Sequence, residues 1–183
     1  MNGKASNIIF RNFITTDVLD PQERSDLALR DQLEGLLGGG TEPVAHALRV
    51  ITYHLCENPN MVQKLRMELT SIQSLPNNIL KVRQLYGLTY LTAIIKEGLR
   101  LSYGVASRMP RIAPDRTLFY GHWRILAGTA VSMTHSSIFH DEEIFPDSFA
   151  FRPERYLDPV RMERQERYLV PFGLGPRSCL GQQ

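Results

Sequence analysis

The hydrophobic period of the chain changes once, at Pro110, and that change limits the folds open to it. Before Pro110 the apolar residues recur at helical spacing. Arg24 to Glu57 carries Leu27, Leu33, Leu36, Leu37, Ala45, Leu48, Ile51 and Leu55 in such a pattern, which is interrupted at the run GGGTEP. The segment ENPNMVQKLRMEL follows as a second helix, with Asn58 as N-cap, Pro59 at the first helical position, and Val62, Leu65 and Leu69 on one face. Residues 88–102, LTYLTAIIKEGLRLS, predict a third helix whose buried side holds Leu88, Leu91, Ile94, Ile95 and Leu99. After Pro110 the run RTLFYGHWRILAGTAVSM reads as short strands with turns at Gly121-His122 and Gly128, a small sheet over about residues 116–134. The periods together predict a mainly α chain with a small β-sheet, an α+β fold. A length of 183 residues suffices for one core and is short for two, so a single domain is expected.

From His140 to Pro171 the chain is rich in Pro, Asp, Glu and Arg, with aromatics at Phe145, Phe149, Phe151, Tyr156 and Tyr168. It predicts an ordered but irregular segment packed through its rings. Hydrophobic residues at 43% and charged residues at 22% exclude wholesale disorder. The 21 basic and 19 acidic residues are interspersed and leave a formal charge of +2, so neither nucleic acid nor an anionic membrane is implied as a partner. Two cysteines, Cys56 and Cys179, are too few for a disulfide framework and fit a reducing compartment. No apolar run approaches the roughly 20 residues that span a bilayer. The opening MNGKASNIIFRNF has too short an apolar stretch for a secretory leader.

The last loop, FGLGPRSCLG, sets a thiol among glycines, a proline and an arginine. Taken singly, the glycines make a turn and a lone cysteine is a small hydrophobe. The full spacing of Phe172, Gly175, Arg177, Cys179 and Gly181 resembles the cysteine-ligand loop of the cytochrome P-450 family, the haem-thiolate monooxygenases. That resemblance implies haem b, with Cys179 as the axial ligand of its iron. A thiolate ligand must come close to iron while kept from water and oxidation. The glycines would let the backbone lie against the macrocycle, Phe172 would cover the cysteine, and Arg177 would pair with an anionic propionate.

Glu97 and Arg100 stand at i, i+3, and by themselves read as an exposed ion pair worth about a few tenths of a kcal/mol. In the family, Glu-x-x-Arg on this helix is a buried pair completed by an arginine of a Pro-Glu-Arg segment, and FRPERYL supplies Pro153, Glu154 and Arg155. The resemblance therefore implies a mutually satisfied cluster of Glu97, Arg100 and Arg155. The following SRMPRIAPD is similar to fungal members in which an arginine reaches a propionate, with Arg111 the first candidate and Arg108 the second. His140, Asp141, Glu142 and Glu143 are consecutive and do not converge on one metal ion, so a turn followed by a helical start is the expectation there.

The run LLGGGTEPVAHAL resembles the family's distal helix, with Gly39, Gly40, Thr41 and Glu42 matching. Pro43 stands where the family has a threonine that helps deliver protons to dioxygen. Proline has no hydroxyl, and inside a helix it removes the N–H owed to the Gly39 carbonyl, a cost of roughly 3 kcal/mol. The three glycines before it predict a bulge that absorbs the kink.

By resemblance, then, the chain is the C-terminal, haem-binding half of the fold. Its parts are a distal helix over about 24–57, a Glu-x-x-Arg helix over about 88–102, the sheet, and the Pro-Glu-Arg segment with the cysteine loop over 151–183. It is most similar to fungal secondary-metabolism members such as trichodiene oxygenase. The implied activity inserts one atom of dioxygen into a small apolar organic substrate, with electrons from an NADPH-cytochrome reductase. The family is usually anchored to the endoplasmic reticulum membrane. The chain as written carries no anchor, which implies a cytoplasmic or peripheral location. The alternative is a truncated, catalytically inactive fragment with weak or no haem binding, to which Pro43 lends weight.

Overall fold

A computed structural model describes residues 9–72 and 82–182. The first eight residues of the stretch read for a leader lie outside them. Two compact units are distinguished, one ending at Ala45 and the other beginning at His46.

In the first unit, helix α1 (Ile9–Thr15) is followed by a turn and the start of α2 (Asp26–Glu57). The turn is held locally, because the Asp20 N–H donates to Glu23 Oε2 at 3.3 Å and the Gln22 N–H to Asp20 Oδ1 at 3.2 Å. Ser25 then caps α2 by accepting the Ala28 N–H at 3.4 Å. The expected interruption at GGGTEP is absent: α2 is helical through Gly38 to Pro43, with none of its glycines at positive φ. Helix on both sides of a single missing bond propagates through it, so the proline is tolerated without a bulge.

In the second unit, α3 (Pro59–Ser71), α4 (Val82–Leu85) and α5 (Thr89–Ser102) precede the strands. Tyr90, Ile94 and Phe151 form the core, with Ile51, Leu55, Met61, Leu65 and Leu101 packed around them. The face of α5 that faces inward differs from the expectation in one respect. Ile95 is exposed, and Glu97, Gly98 and Arg100 are buried instead. Helical spacing finds the stripe of apolar residues but not charges that are buried because they are paired.

Asn58 does not cap α3 with its side chain. Its amide donates back to the His54 carbonyl at 2.7 Å, closing the last turn of α2 instead. The unexpected cap is on α5, where both oxygens of Glu68 accept N–H groups, from Tyr90 at 2.7 Å and Leu91 at 2.9 Å. A carboxylate at a helix N-terminus satisfies orphan donors and complements the dipole.

The strands form two separate antiparallel pairs rather than one sheet. Strand β1 (Arg111–Ile112) pairs with β4 (Ala130–Val131), and β2 (Leu118–Tyr120) with β3 (Trp123–Ile125) around a turn at Gly121. Beyond them lie α6 (His135–Phe139), a 3-10 turn over Pro153–Tyr156, and α7 (Pro159–Tyr168). The helical start expected directly after His140 is absent: α6 ends at Phe139, and turns follow. Helix α7 corrects the wholly irregular reading of this region: Asp158 accepts the Val160 N–H at 3.0 Å, with Pro159 at the first position. Of its aromatics, Phe145, Phe151 and Tyr156 are buried, whereas Phe149 and Tyr168 are exposed. Among the described residues no helix is long and apolar enough to cross a membrane.

Candidate functional site

Glu97 and Arg100 lie one turn apart on α5 and are both 0% exposed. Arg100 grips the carboxylate with a fork, Nε to Oε2 at 2.9 Å and Nη2 to Oε1 at 2.8 Å. Arg155, from the 3-10 turn, donates Nε to the same Oε1 at 3.0 Å, and the Arg152 N–H reaches it at 2.9 Å. Two cations therefore face one anion. The remaining guanidinium N–H groups donate to main-chain oxygens: Arg100 to Phe139 at 2.7 Å and Ala150 at 3.3 Å, Arg155 to Pro146 at 3.0 Å and Asp147 at 3.3 Å. Burial of charge is tolerable only with partners of this kind. The Arg100 guanidinium also lies 5.3 Å over the Phe145 ring. Burial, and then the Glu97 carboxylate, push the Tyr156 phenol far above its ordinary pKa.

The exit of α5 is built from residues that spacing did not single out. Tyr103 has φ +59 and ψ −8, a left-handed conformation unusual for a bulky side chain. Its hydroxyl meets His140 Nε2 at 2.6 Å, and His140 Nδ1 meets Ser148 Oγ at 3.1 Å. The imidazole stacks on Phe149 with 3.9 Å between centroids. His135 Nδ1 lies 3.3 Å from the Tyr103 carbonyl, which only accepts, so this nitrogen carries the proton. Burial, then the Arg100 charge, hold the pKa of His140 below the ordinary histidine value. The Tyr-Gly pair after α5 was the available signal, since glycine there marks a helix C-terminus.

The cysteine loop leaves α7 through Leu169 and closes on itself. The Gly173 N–H donates to the Val170 carbonyl at 3.0 Å, Ser178 to Gly175 at 3.0 Å, and Cys179 to Phe172 at 2.8 Å. The two reversals occur at Gly173, φ +73, and Gly175, φ +79, which open a 3-10 turn over Gly175–Arg177. Cys179 is thereby returned beside Phe172. Its thiol is exposed rather than shielded, and a Cβ on Gly181 would lie 3.8 Å from Sγ. Leu180 follows it and Leu174 lies earlier in the loop, both strongly exposed, while Phe172 is half-buried and Arg177 is exposed.

A haem is a flat apolar macrocycle with anionic propionates and one axial bond to offer. The loop fits those demands: a single soft sulfur donor, open backbone at Gly175 with nothing within 4 Å of a Cβ position, apolar neighbours, and a cation at Arg177. Among the described residues no cluster of three or more His, Cys, Asp or Glu could hold a metal ion otherwise. Arg111 sits on β1, exposed, and donates Nη1 to the Pro110 carbonyl at 3.2 Å; Arg108 is exposed in the segment before it. Gly39, Gly40, Thr41, Glu42 and Pro43 lie along α2 within the first unit, with Pro43 half-buried and the others exposed. The structure thus brings Glu97, Arg100 and Arg155 into contact, and Phe172 with Cys179.

A family model described as Cytochrome P450 matches residues 8–183. The chain is 40% identical to the cytochrome P450 monooxygenase tpcC of Cochliobolus heterostrophus, over 97% of its own length and 34% of that protein. It is 39% identical to tndB of Aspergillus flavipes, likewise named a cytochrome P450 monooxygenase, over 100% of this chain and 37% of the relative. With the monooxygenase TRI4 of Trichoderma arundinaceum it shares 38% identity over 89% of this chain and 32% of that one. The chain therefore spans about a third of the length of the curated relatives it matches. An α+β arrangement with a buried Glu-x-x-Arg helix, a glycine-lined thiol loop and a match over nearly all residues lead to one conclusion: the chain belongs to the cytochrome P450 family.

Proposed function

We propose that this chain is the haem-proximal part of a monooxygenase in which Cys179 is the thiolate ligand of haem b. The observation that carries the reading is the buried Glu97, Arg100 and Arg155 cluster, which ties α5 to the segment that leads into an exposed, glycine-flanked thiol. Haem, when bound, supplies the activation of dioxygen for insertion of one oxygen atom into a small apolar organic substrate. The protein's own part is to present sulfur, hold the ring and keep charge in place. Cys179 donates the thiolate, and the open backbone at Gly175 lets the chain approach a planar group. Phe172 covers one flank, and Arg177, with Arg111 as second donor, pairs with propionate. Electrons come from an NADPH-cytochrome reductase, the redox partner of the family.

A second reading is favoured by Pro43. The distal stretch Gly39, Gly40, Thr41 and Glu42 is followed by a residue with no hydroxyl to relay a proton. On this reading the chain binds haem weakly or not at all and does not turn over.

The test is the carbon-monoxide difference spectrum of the haem-supplemented, reduced chain beside its Cys179→Ser variant. A band at about 450 nm that is lost in the variant supports thiolate ligation. A band at about 420 nm in both, or no haem uptake, refutes it.

A further inference from the structure

The residue after Tyr103 is Gly104, also left-handed at φ +58, and a Cβ placed there would lie 2.9 Å from the Pro171 carbonyl oxygen. An L side chain is thus disfavoured twice, by the backbone conformation and by the main chain it would meet. Pro171 directly precedes Phe172, whose carbonyl takes the Cys179 N–H at 2.8 Å. The turn that follows α5 therefore touches the cysteine loop one residue before the hydrogen bond that closes it. Tyr103 itself holds a conformation that persists only when its surroundings enforce it. His140 holds its hydroxyl and His135 its carbonyl.

We propose that Tyr103 and Gly104 form the seat of the Cys179 loop, a turn at the exit of α5 that sets where Pro171 rests and so where the thiol stands. Both are positioning residues, acting through Pro171 and Phe172. The functional meaning of the seat rests on the reading of Cys179 as the iron ligand, but the geometry it sets does not.

Gly121 supplies the control. It is left-handed to the same degree, φ +57, but nothing lies within 4 Å of its Cβ position. Alanine there brings the same backbone strain without the contact. The experiment is amide hydrogen exchange of the full chain by NMR for Gly104→Ala, Gly121→Ala and Tyr103→Phe. Gly104→Ala is expected to speed exchange of the Cys179 amide roughly tenfold or more, whereas Gly121→Ala leaves it within roughly twofold. Tyr103→Phe, which loses the bond to His140, is expected to move it the same way by less. Equal Cys179 exchange in the two alanine variants overturns the proposal. Should Gly104→Ala fail to fold, an unchanged Cys179 amide in Tyr103→Phe overturns it instead.

A haem readout separates this inference from the one beneath it. Loss of absorbance at about 450 nm in favour of about 420 nm, in Gly104→Ala and not in Gly121→Ala, supports both. The exchange contrast without any band at about 450 nm in the parent chain sinks the ligand assignment and upholds the seat.

Discussion

Ile51 packs its side chain directly against the backbone of Gly98, so closely that a Cβ on Gly98 would lie 2.1 Å from Ile51 Cγ1 and 2.6 Å from Cδ1. The end of α2 and the middle of α5 meet here, one residue from Glu97. Gly98→Ala is expected to cost about 1–3 kcal/mol by overpacking. Adding Ile51→Ala should recover part of that loss, because the methyl then has room. A urea-denaturation cycle of the two single variants and the double variant measures this, and strict additivity contradicts the contact.

Glu97→Gln keeps the shape of the side chain but leaves two buried guanidinium groups without their anion. Removing one partner of a buried pair costs about 3–5 kcal/mol, so the variant is expected to lose cooperative unfolding or to melt at a clearly lower temperature. Arg155→Lys should be costly too, since an ammonium cannot reach Glu97 and the Pro146 and Asp147 carbonyls as one planar fork does. Thermal melts followed by circular dichroism give the comparison.

Two histidines predict an acid limb to stability. Burial lowers the pKa of His54, which stacks on Phe151 at 4.5 Å, and burial together with Arg100 lowers that of His140. The folded chain then takes up these protons less readily than the unfolded chain. Their contribution is fully present above the unfolded pKa of about 6.5 and is lost as pH falls through the lower folded values. The urea midpoint should be flat above about pH 7 and decline below about 6.5, with a shallower decline in His54→Gln. A midpoint that rises on acidification over that range contradicts the assignment.

Pro43→Thr restores both an N–H for the Gly39 carbonyl and a hydroxyl on the distal stretch. Under the monooxygenase reading proposed above, a chain completed to the length of its relatives is expected to form more product per NADPH consumed in this variant, with less free peroxide. Unchanged coupling means that protons reach dioxygen by another route. In the chain itself, the variant should gain up to about 3 kcal/mol of local helix stability, read from hydrogen exchange along α2.

Sequence carried the order of the elements well, and carried the environments of their residues poorly. Spacing along LTYLTAIIKEGLRLS found α5 but assigned Ile95 to the buried side, because a hydrophobic pattern has no entry for charges buried with partners 55 and 58 residues away. The glycines of GGGTEP suggested a break that long-helix cooperativity overrides. Asp158-Pro159 did contain a start signal for α7, hidden by the Arg and Glu content that follows. Tyr103, Gly104, His135 and His140 were not legible as a group, since only folding brings three segments to one turn.

The surplus positive charge of the Glu97 cluster also accounts for the shape of the chain between Phe139 and Ala150. A continuous helix or a paired strand spends its carbonyls on its own ladder, whereas here those of Phe139, Pro146, Asp147 and Ala150 turn inward to the two guanidinium groups. This stretch is in effect a counter-ion made of peptide groups, drawn from the last residue of α6 and from the turns that follow it.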